Sequence, residues 1–430
     1  MNAKANNTID KVRELQRKLY LSAKANKKRK FHALYDKIYR ADILLKAWKQ
    51  VKANKGTGGI DEVHIEDVVK YGEMKFLKEI QQELMENDYK PKPVERVYIP
   101  KKDGKKRPLG IPIIKDRIVQ TATKIAIEPI FEADFKEYSY GFRPKRNQHQ
   151  ALEVIRKQCN NKGWWVLDTD IKGYFDNINH DKLMLLVEQR VSDRRVLKLI
   201  RKWLKIGVVE DNEYTESEIG SPQGSSISPL LSNIYLNYFD LVWDKYYKHL
   251  GTLVKFADDF IIISRTKKEI YHAYNGVKKI FEKLELELHP DKTRFVNMWD
   301  GKEGFDFLGF HHRRSLVENG KGQRFNTTIQ VPTQKAIKSM RKKIKEVLSN
   351  RSTLKMDIYN LVQTMNKKIV GLKNYYNLKY AGKQLNKIDW YIIQRFTIWY
   401  NNKKQRRPRH RGLKEVMNIL NEMGLRKLSS

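Results

Sequence analysis

The sequence predicts an α+β fold that is followed by a helical region. In the middle of the chain, short runs of apolar β-forming residues alternate with segments of helical periodicity, and acidic residues stand at the ends of some runs. Strand signals stop near residue 330, and beyond it Lys, Arg and apolar residues alternate at helical spacing to about residue 400. This order indicates a mixed α+β domain and then a separate helical domain.

The first part of the chain predicts basic amphipathic helices and then a loop. Between residues 8 and 54, apolar residues such as Leu15, Ile43 and Trp48 recur mostly at helical spacing among many cations. Residues 52–61 contain three glycines and break that pattern. They are expected to form a loop that lies close to another backbone.

Strands and helices alternate from residue 96 to residue 285. Asp103-Gly104 is a dipeptide favoured in two-residue turns, and the runs on either side are rich in Lys and Arg, so a basic hairpin is predicted there. The other predicted elements are a helical region at 113–160 broken at 138–144, a strand at 164–170, helices at 180–206, a turn at 221–226, a helix at 227–247, a hairpin at 253–264 and a helix at 267–285.

Composition indicates a polyanionic partner. Lys and Arg number 86 against 50 Asp and Glu, which gives a formal net charge of +36. Nucleic acid is the first candidate and an anionic membrane surface the second, but no apolar run approaches the ~18 residues of a spanning helix and the start lacks a signal-peptide core. We therefore expect a cytoplasmic protein. The single cysteine, Cys159, argues against a disulfide framework and cysteine-based zinc modules.

Two adjacent acids, Asp258 and Asp259, interrupt the apolar hairpin at 253–264. A solvated acidic turn is the simpler interpretation of an isolated pair, whereas in this apolar and otherwise cationic setting a divalent metal site is favoured. Asp168 and Asp170 close the strand at 164–170 and point to one face, although one of them is open to a structural role. If that strand lies beside the hairpin, these carboxylates meet around two Mg²⁺ ions, about 3.5 to 4 Å apart in sites of this kind. Hard oxygen ligands favour magnesium.

Seven sequence blocks occur in a fixed order along the chain. They are Lys101 to Arg107, Tyr140-Gly-Phe-Arg143, Asp168 to His180, Pro222-Gln-Gly-Ser-Ser-Ile-Ser-Pro229, Phe256-Ala-Asp-Asp259, Leu288-His-Pro-Asp-Lys-Thr293 and Phe307-Leu-Gly-Phe310. Together these blocks resemble those of reverse transcriptases. Within that family the chain is similar to the group II intron-encoded proteins, combined reverse transcriptases and RNA-splicing maturases, and to their compact bacterial class C-like type without an endonuclease.

The resemblance implies a right-hand polymerase fold, in which fingers and palm contain antiparallel sheet and the thumb is α-helical. The implied domains are a basic helical N-terminal extension with a template-lid loop at 1–80, fingers and palm at 81–320, a thumb or maturase domain at 321–400 and a basic DNA-binding tail at 401–430. In the thumb, Gly371-Leu-Lys-Asn-Tyr-Tyr376 resembles the maturase signature, with Leu372 in place of the usual Trp.

The resemblance also implies catalytic roles. Asp170 and Asp258 would be the principal metal ligands and Asp259 would complete the acidic cluster, while the backbone carbonyl of Ile171 would assist. Phe175 would lie under the sugar as the steric gate that rejects a 2′-hydroxyl. An ordinary core aromatic is the alternative interpretation of Phe175.

Further residues would bind the substrates. Lys101 and Arg107 would hold the triphosphate, since a guanidinium fork suits phosphate oxygens, although a solvated basic hairpin has the same composition. Gln223 would contact the incoming nucleotide, and Lys292 would donate a proton to the pyrophosphate leaving group. Phe307, Leu308 and Gly309 would form the primer grip, and Arg143 would support the template or the fingers.

Basic residues outside these blocks are candidates for RNA or DNA binding. Lys52 and Lys55 lie in the glycine-rich loop, which resembles a loop over the template but is also compatible with a plain turn between helices. A DNA-binding tail and a solvated basic terminus both fit the last basic run. Its candidate contacts are Lys403, Lys404, Arg406 and Arg407.

Two positions depart from the family pattern. Phe256 replaces the more usual Tyr, and Ser225 stands where Gly is common. Both replacements keep a compatible size and shape, so we expect polymerase activity to be retained.

The resemblance predicts an RNA-directed DNA polymerase that binds group II intron RNA, assists its splicing and copies it into cDNA during retrohoming. Its partners would be intron RNA, a DNA target or primer and dNTPs, in the bacterial cytoplasm. One alternative is a domesticated reverse transcriptase that serves phage defence, diversity generation or CRISPR adaptation. Another is a non-catalytic RNA chaperone on a polymerase scaffold, which the intact acids argue against because clustered carboxylates repel one another.

Overall fold

The computed structural model describes residues 2–100, 106–210, 213–216, 219–407, 410 and 412–429. The chain divides into two compact units. The first unit is formed by residues 1–151, 167–262 and 267–294, and the second by residues 152–166, 263–266 and 295–430.

Helices and strands alternate as far as residue 332, and the described residues from Gln334 onward form helices and no strand, which confirms the predicted α+β class. The helices are α1 (Asn2–Ala25), α2 (Tyr35–Ile38), α3 (Ala41–Ala53), α4 (Ile65–Tyr71), α5 (Glu73–Met85), α6 (Ile114–Glu132), α7 (Gln148–Asn160), α8 (His180–Glu188), α9 (Arg194–Lys205), α10 (Ser228–Tyr246), α11 (Lys267–Lys283), α12 (Gln334–Leu348), α13 (Ile358–Tyr376), α14 (Gly382–Lys403) and α15 (Leu413–Glu422). The strands are β1 (Val94–Pro100), β2 (Lys106–Ile111), β3 (Trp165–Thr169), β4 (Val208–Glu210), β5 (Glu213–Thr215), β6 (Thr252–Phe256), β7 (Asp259–Ser264), β8 (Arg294–Asn297), β9 (Gly304–Phe307), β10 (Phe310–Glu318) and β11 (Arg324–Pro332).

Helix α6 is the central helix of the first unit. Apolar residues on nearly every side of it are buried, among them Ile118, Ala122 and Ile125, and α1 and α3 pack against it. A helix that is buried on most of its sides leaves little surface for solvent. The basic N-terminal helices therefore place their apolar stripes on α6 and their cations outward.

The basic hairpin belongs to a sheet with the strand order β2-β1-β4-β5. Strands β1 and β2 are antiparallel, with Ile99 opposite Arg107, and β1 is parallel to β4, with Val94 opposite Val208. The hairpin tip, which contains Lys101 and Asp103-Gly104, lies outside the described residues.

The acidic hairpin forms as predicted. Strands β6 and β7 are joined by Ala257 and Asp258, and Ala257 has a φ of 58°, in the left-handed region. The sheet order is β6-β7-β3-β8, so β3 lies directly beside β7. This is the adjacency on which the predicted meeting of the carboxylates depends.

The segment before α7 supports that hairpin from the other side of β6. Lys255 N donates to Tyr138 O, and Tyr140 N donates to Lys255 O, each at 2.8 Å. A Cβ on Gly141 would overlap the Ala257 backbone nitrogen, so only glycine allows this approach.

A buried ion pair lies behind the same strand. Lys255 Nζ is 2.7 Å from Asp240 Oδ2 on α10, and both side chains are 1% exposed. Tyr138 Oη donates to the Asp240 carbonyl at 2.8 Å. The pair joins β6 to α10 at the residue that precedes the Phe256-Ala-Asp-Asp259 block.

The second unit contains the sheet β11-β10-β9 and the helices α12 to α15. Leu308 and Gly309 form the two-residue turn between β9 and β10, with φ values of 49° and 79°, as a type I′ turn requires. Tyr375 Oη on α13 donates to Leu308 O at 3.0 Å. The residues of the predicted primer grip are therefore held against the helical part of this unit.

The last residues of the chain are packed in the second unit. Val416 and Leu420 of α15 are buried in one apolar cluster with residues of α12, α13 and α14. The sequence alone did not predict this short helix, because the basic run at 403–411 dominates the composition of the region and the apolar residues of the helix are few.

We expect loss of one charge of the Lys255–Asp240 pair to destabilise the first unit much more than loss of both. Lys255→Met leaves the Asp240 carboxylate buried without its partner and should lower the stability of this unit by about 3 to 5 kcal/mol. Lys255→Met combined with Asp240→Leu removes both charges and should recover most of that loss. Denaturant midpoints of the two variants and the parent would test this, and equal destabilisation in both variants would contradict it.

Candidate active site

Asp170 is placed by backbone hydrogen bonds at the end of β3. Asp170 O accepts from His289 N at 2.8 Å, and Lys172 N donates to Glu287 O at 2.9 Å. One residue earlier, the hydroxyls of Thr169 and Thr293 are 2.8 Å apart. The 287–293 segment therefore fixes the strand end that carries Asp170 and Ile171.

Three carboxylates influence one another at this strand end and at the β6–β7 turn. The Asp259 side chain retains contact with solvent, yet the surrounding protein removes part of its hydration. This desolvation, followed by the charges of Asp258 and Asp170, raises the pKa of Asp259 to about 7. Desolvation also raises the pKa of Asp258, and the Asp170 charge adds to the effect. The structure thus brings together the acids that the sequence predicts as catalytic.

Two cations from one short segment lie against the acids of β3. Lys292 Nζ forms an ion pair with Asp170 Oδ2, and Arg294 Nη2 is 2.5 Å from Asp168 Oδ2. Asp168 and Asp170 are two residues apart, as the prediction of one shared face requires, but the Asp168 carboxylate is paired with an arginine. This contact supports the structural role that the sequence left open for one of the two acids.

Arg107 contributes positive charge to the same site. Its guanidinium lies close enough to Asp258 to lower the pKa of that carboxyl in part, and it is exposed on β2. Of the two predicted triphosphate ligands, Lys101 is outside the described residues.

Phe175 lies in the short 3₁₀ helix Tyr174–Asn177 and Gln223 lies in a loop, and backbone hydrogen bonds connect each of them to a neighbouring segment. Ser221 N donates to Phe175 O at 2.8 Å, and Gly110 N donates to Gln223 O at 2.7 Å. The Phe175 side chain is half-buried and contacts Tyr174 edge to face, with ring centroids 5.3 Å apart. The ring is therefore partly packed against the protein and partly accessible to a ligand.

Ser225, which departs from the family pattern, has a hydrogen-bond partner that was not predicted from the sequence. Ser225 Oγ donates to Gln120 Oε1 at 2.8 Å, and Ser226 N donates to the same oxygen at 3.0 Å. Gln120 lies on α6 and is 3% exposed. No local pattern points to this contact, because its partners are 105 residues apart.

Arg143 is engaged within the protein. Its Nε and Nη2 donate to the Glu132 carboxylate, at 3.0 Å and 2.6 Å, and Nη1 donates to the carbonyls of Lys136 and Ser139. The side chain is 3% exposed. Arg143 was expected to support either the template or the fingers. These contacts favour support of the protein itself, because they hold the segment whose Gly141 touches the acidic turn.

The candidate nucleic-acid contacts occur in both units. Lys52 Nζ is 2.5 Å from Glu73 Oε1, whereas Lys55 is exposed in the loop after α3. At the end of α14 the cations are exposed, and two of them have partners. Lys403 Nζ donates to Met356 O, Arg406 is 3.2 Å from Glu415, and the other two candidates are Lys404 and Arg407.

The donor set suits a hard divalent cation. In the described ranges no group of three or more acidic, His or Cys side chains already lies in metal-ligand geometry, and Lys292 is paired with Asp170. The Asp170 charge nevertheless helps to raise the pKa of Asp258, and the charges of Asp258 and Asp170 help to raise that of Asp259, which is the electrostatic condition that a bound cation relieves. Carboxylate and carbonyl oxygens are ligands that Mg²⁺ prefers.

Two protein families match separate parts of this chain. Residues 99–312 match the family described as Reverse transcriptase (RNA-dependent DNA polymerase), and residues 337–417 match the Group II intron, maturase-specific domain. Protein YkfC of Escherichia coli is 34% identical over 363 residues, which cover 76% of this chain and 93% of YkfC. The Group II intron-encoded protein LtrA of Lactococcus lactis is 30% identical, with 83% of this chain and 72% of LtrA covered.

The chain therefore belongs to the group II intron reverse transcriptase and maturase family, and it is an RNA-directed DNA polymerase. Among solved structures, the Partial Cas6-RT-Cas1--Cas2 complex matches at 23% identity over 59% of this chain and 42% of that chain, with a TM-score of 0.35 that is too low to add to the assignment. Within the described ranges, none of the helices combines the length and the apolar character of a membrane span.

The raised pKa of Asp259 predicts a pH-dependent stability in the absence of divalent metal. The folded pKa of about 7 exceeds the ordinary value of 3.8, so the folded state binds the proton more tightly and loses stability as the pH rises from about 4 to about 7. Asp259→Asn removes this loss. The advantage of the variant over the parent should grow across that range and stay constant above it.

Thermal unfolding in EDTA across this pH range would measure the difference. Glu282→Gln, which removes an exposed carboxylate from α11, is the matched control and should show no such growth. A difference between Asp259→Asn and parent that does not change with pH would contradict the prediction.

Proposed function

We propose that this chain extends a primer with deoxynucleotides copied from RNA by two-metal nucleotidyl transfer at Asp170, Asp258 and Asp259. The convergence of these carboxylates at the end of β3 and the β6–β7 turn, with the pKa of Asp259 raised to about 7, carries the proposal. Asp170 and Asp258 would be the principal ligands, with the Ile171 carbonyl and Asp259 completing the set. Bound Mg²⁺ would lower the pKa of the primer 3′-hydroxyl and offset negative charge on the phosphoryl group.

The cations around the acids fit the substrate charge. Arg107 extends from β2 towards Asp258, where its guanidinium would hold phosphate oxygens of the incoming nucleotide together with Lys101. Lys292 Nζ, now paired with Asp170, holds a proton that the leaving pyrophosphate would take up. Gln223 would contact the nucleotide from the loop that is bound to β2 at Gly110.

The second unit supports the nucleic-acid part of the proposal. The Phe307-Leu308-Gly309 turn, held by Tyr375, would contact the primer end. The maturase-specific match at residues 337–417 favours group II intron RNA as the partner, assistance with its splicing and copying of that RNA into a DNA target during retrohoming. Lys52, Lys55 and the cations after α14 would contact phosphates of RNA or DNA.

Removing the paired acids should separate catalysis from RNA binding. Asp258→Asn with Asp259→Asn keeps the side-chain shape but removes the charges that would hold metal. Primer extension on an RNA template should fall by about a thousandfold or more, because charge stabilisation by metal is worth several kcal/mol. Binding of group II intron RNA should stay within about twofold of the parent, since phosphate contacts by cations dominate such binding.

Glu282→Gln, which alters an exposed acid on α11 outside these motifs, is the control and should retain extension. Extension by the double variant at the parental rate would reject the proposed metal site. An inactive parent would reject the polymerase function itself.

The Phe175 ring should set the choice between deoxyribonucleotides and ribonucleotides. Phe175→Ala opens space at a half-buried position and should lower the preference for dATP over ATP by at least about tenfold, equivalent to 1.4 kcal/mol. Values of kcat/KM for both nucleotides on one template would measure it. An unchanged ratio would indicate that the ring serves only packing against Tyr174.

A further inference from the structure

Helix α9 carries a continuous stripe of cations. Its apolar residues, including Val196, Ile200 and Trp203, are buried in the first unit. Apart from Arg195, the other face carries five basic side chains at helical spacing. They are Arg194, Lys198, Arg201, Lys202 and Lys205.

This stripe forms one wall of a groove with a volume of about 980 Å³. Lys30 and Lys90 line it from two other segments of the first unit. The lining therefore includes seven cations, and its one acid, Glu188, is 2.7 Å from Arg201. None of these residues belongs to the proposed polymerase site.

The groove is built on fixed backbone. Asp193 Oδ2 accepts from Leu34 N at 2.9 Å and from Tyr35 N at 2.8 Å, and Asp193 Oδ1 accepts from Arg195 N at 3.0 Å. Lys202 Nζ donates to Tyr89 O at 3.2 Å, which ties α9 to the segment that bears Lys90. The cations are thus presented by a rigid platform.

The crowding of cations on α9 lowers the stability of the fold. Arg194 lies in the first turn of α9, where the positive end of the helix dipole disfavours a cation. Burial, and then the charges of Lys198 and Lys90, lowers the pKa of Lys202. Among the described residues, no carboxylate pairs with Lys198 or Lys205. Cations crowded in this way indicate an anionic ligand.

We propose that this groove binds the phosphate backbone of folded RNA. The proposal rests on the proposed function, since it assigns a surface for the RNA partner. From Arg194 to Lys205 the stripe is about 16 Å long at 1.5 Å per residue, so it can run beside several successive phosphates. Backbone contacts of this kind depend on charge and shape and not on base sequence.

A triple variant tests the groove without touching the acids. Arg194→Gln, Lys198→Gln and Lys205→Gln together remove three exposed charges. Lys268→Gln, Lys279→Gln and Lys283→Gln remove three exposed charges from α11 as the matched control. The probes are a labelled RNA hairpin longer than the stripe and a DNA duplex of the same sequence.

We expect the α9 variant to bind the RNA hairpin at least about tenfold more weakly at ~0.1 M salt. The slope of log affinity against log salt should fall by about 2 to 3, since each phosphate contact contributes about 0.7 to 0.9. The α11 control should change both quantities much less. Equal losses in the two variants, or an unchanged slope in the α9 variant, would overturn the proposal. A loss on the DNA duplex alone would overturn the assignment to RNA.

Two further measurements separate this proposal from a structural role and from the proposed function. The α9 variant should melt no lower than the parent, because Gln, Lys and Arg have similar helix propensities and a cation leaves the first turn. Its extension of a short primer–template should be unchanged. A lower melting temperature with joint loss of binding and extension would overturn the groove proposal, whereas a parent that binds RNA but never extends a primer would reject only the polymerase function.

Discussion

Mutual repulsion of the carboxylates at Asp170, Asp258 and Asp259 is the constraint on which the rest of the first unit depends. These acids do not hold one another together, since each raises the free energy of ionising its neighbours. Their positions come from backbone hydrogen bonds instead. Asp170 is fixed through its carbonyl by His289 N, and the turn that carries the other two is fixed through β6. The scaffold therefore supplies a site that a cation can complete, at a cost in stability that the surrounding contacts offset.

The contacts that hold β6 are polar and buried, which makes them specific. Lys255 and Asp240 neutralise each other in the interior, and Arg143 binds Glu132 and two carbonyls next to the segment that touches Ala257. An apolar contact tolerates sliding by part of a residue, whereas a buried charge without its partner costs several kcal/mol. Gly141 adds a steric condition, because a side chain there would collide with the acidic turn. Register and approach at the turn are therefore set by charge pairing and by excluded volume together.

Sequence reasoning was strongest where structure is local. Apolar runs on both sides of Asp258 and Asp259 predicted the hairpin, and alternation placed Asp168 and Asp170 on one face. The adjacency of β3 and β7 had to be assumed. The partner of Ser225, the pairing of β1 with β4 and the packing of α15 depend on which surfaces meet in three dimensions, and no spacing along the chain encodes them. The role of Arg143 was open for the same reason, because an arginine that binds a template and one that binds a glutamate within the protein have the same sequence signature. The family resemblance could name the motif but not the partner.

The net charge of +36 alone does not say which cations bind a partner, and the structure separates them. Composition treats every cation as a possible phosphate ligand, yet Arg190, Arg143 and Lys255 are buried and bonded to carboxylates or carbonyls of the first unit. Those cations stabilise the fold, and nucleic acid has no access to them. Most cations of α9 are different, among them Arg194, Lys198 and Lys205, since they are exposed, crowd one another and include one at the unfavourable end of a helix. A charge that the fold does not use is retained for a partner, so burial and pairing, more than the number of Lys and Arg residues, distinguish the cations that bind RNA from those that build the protein.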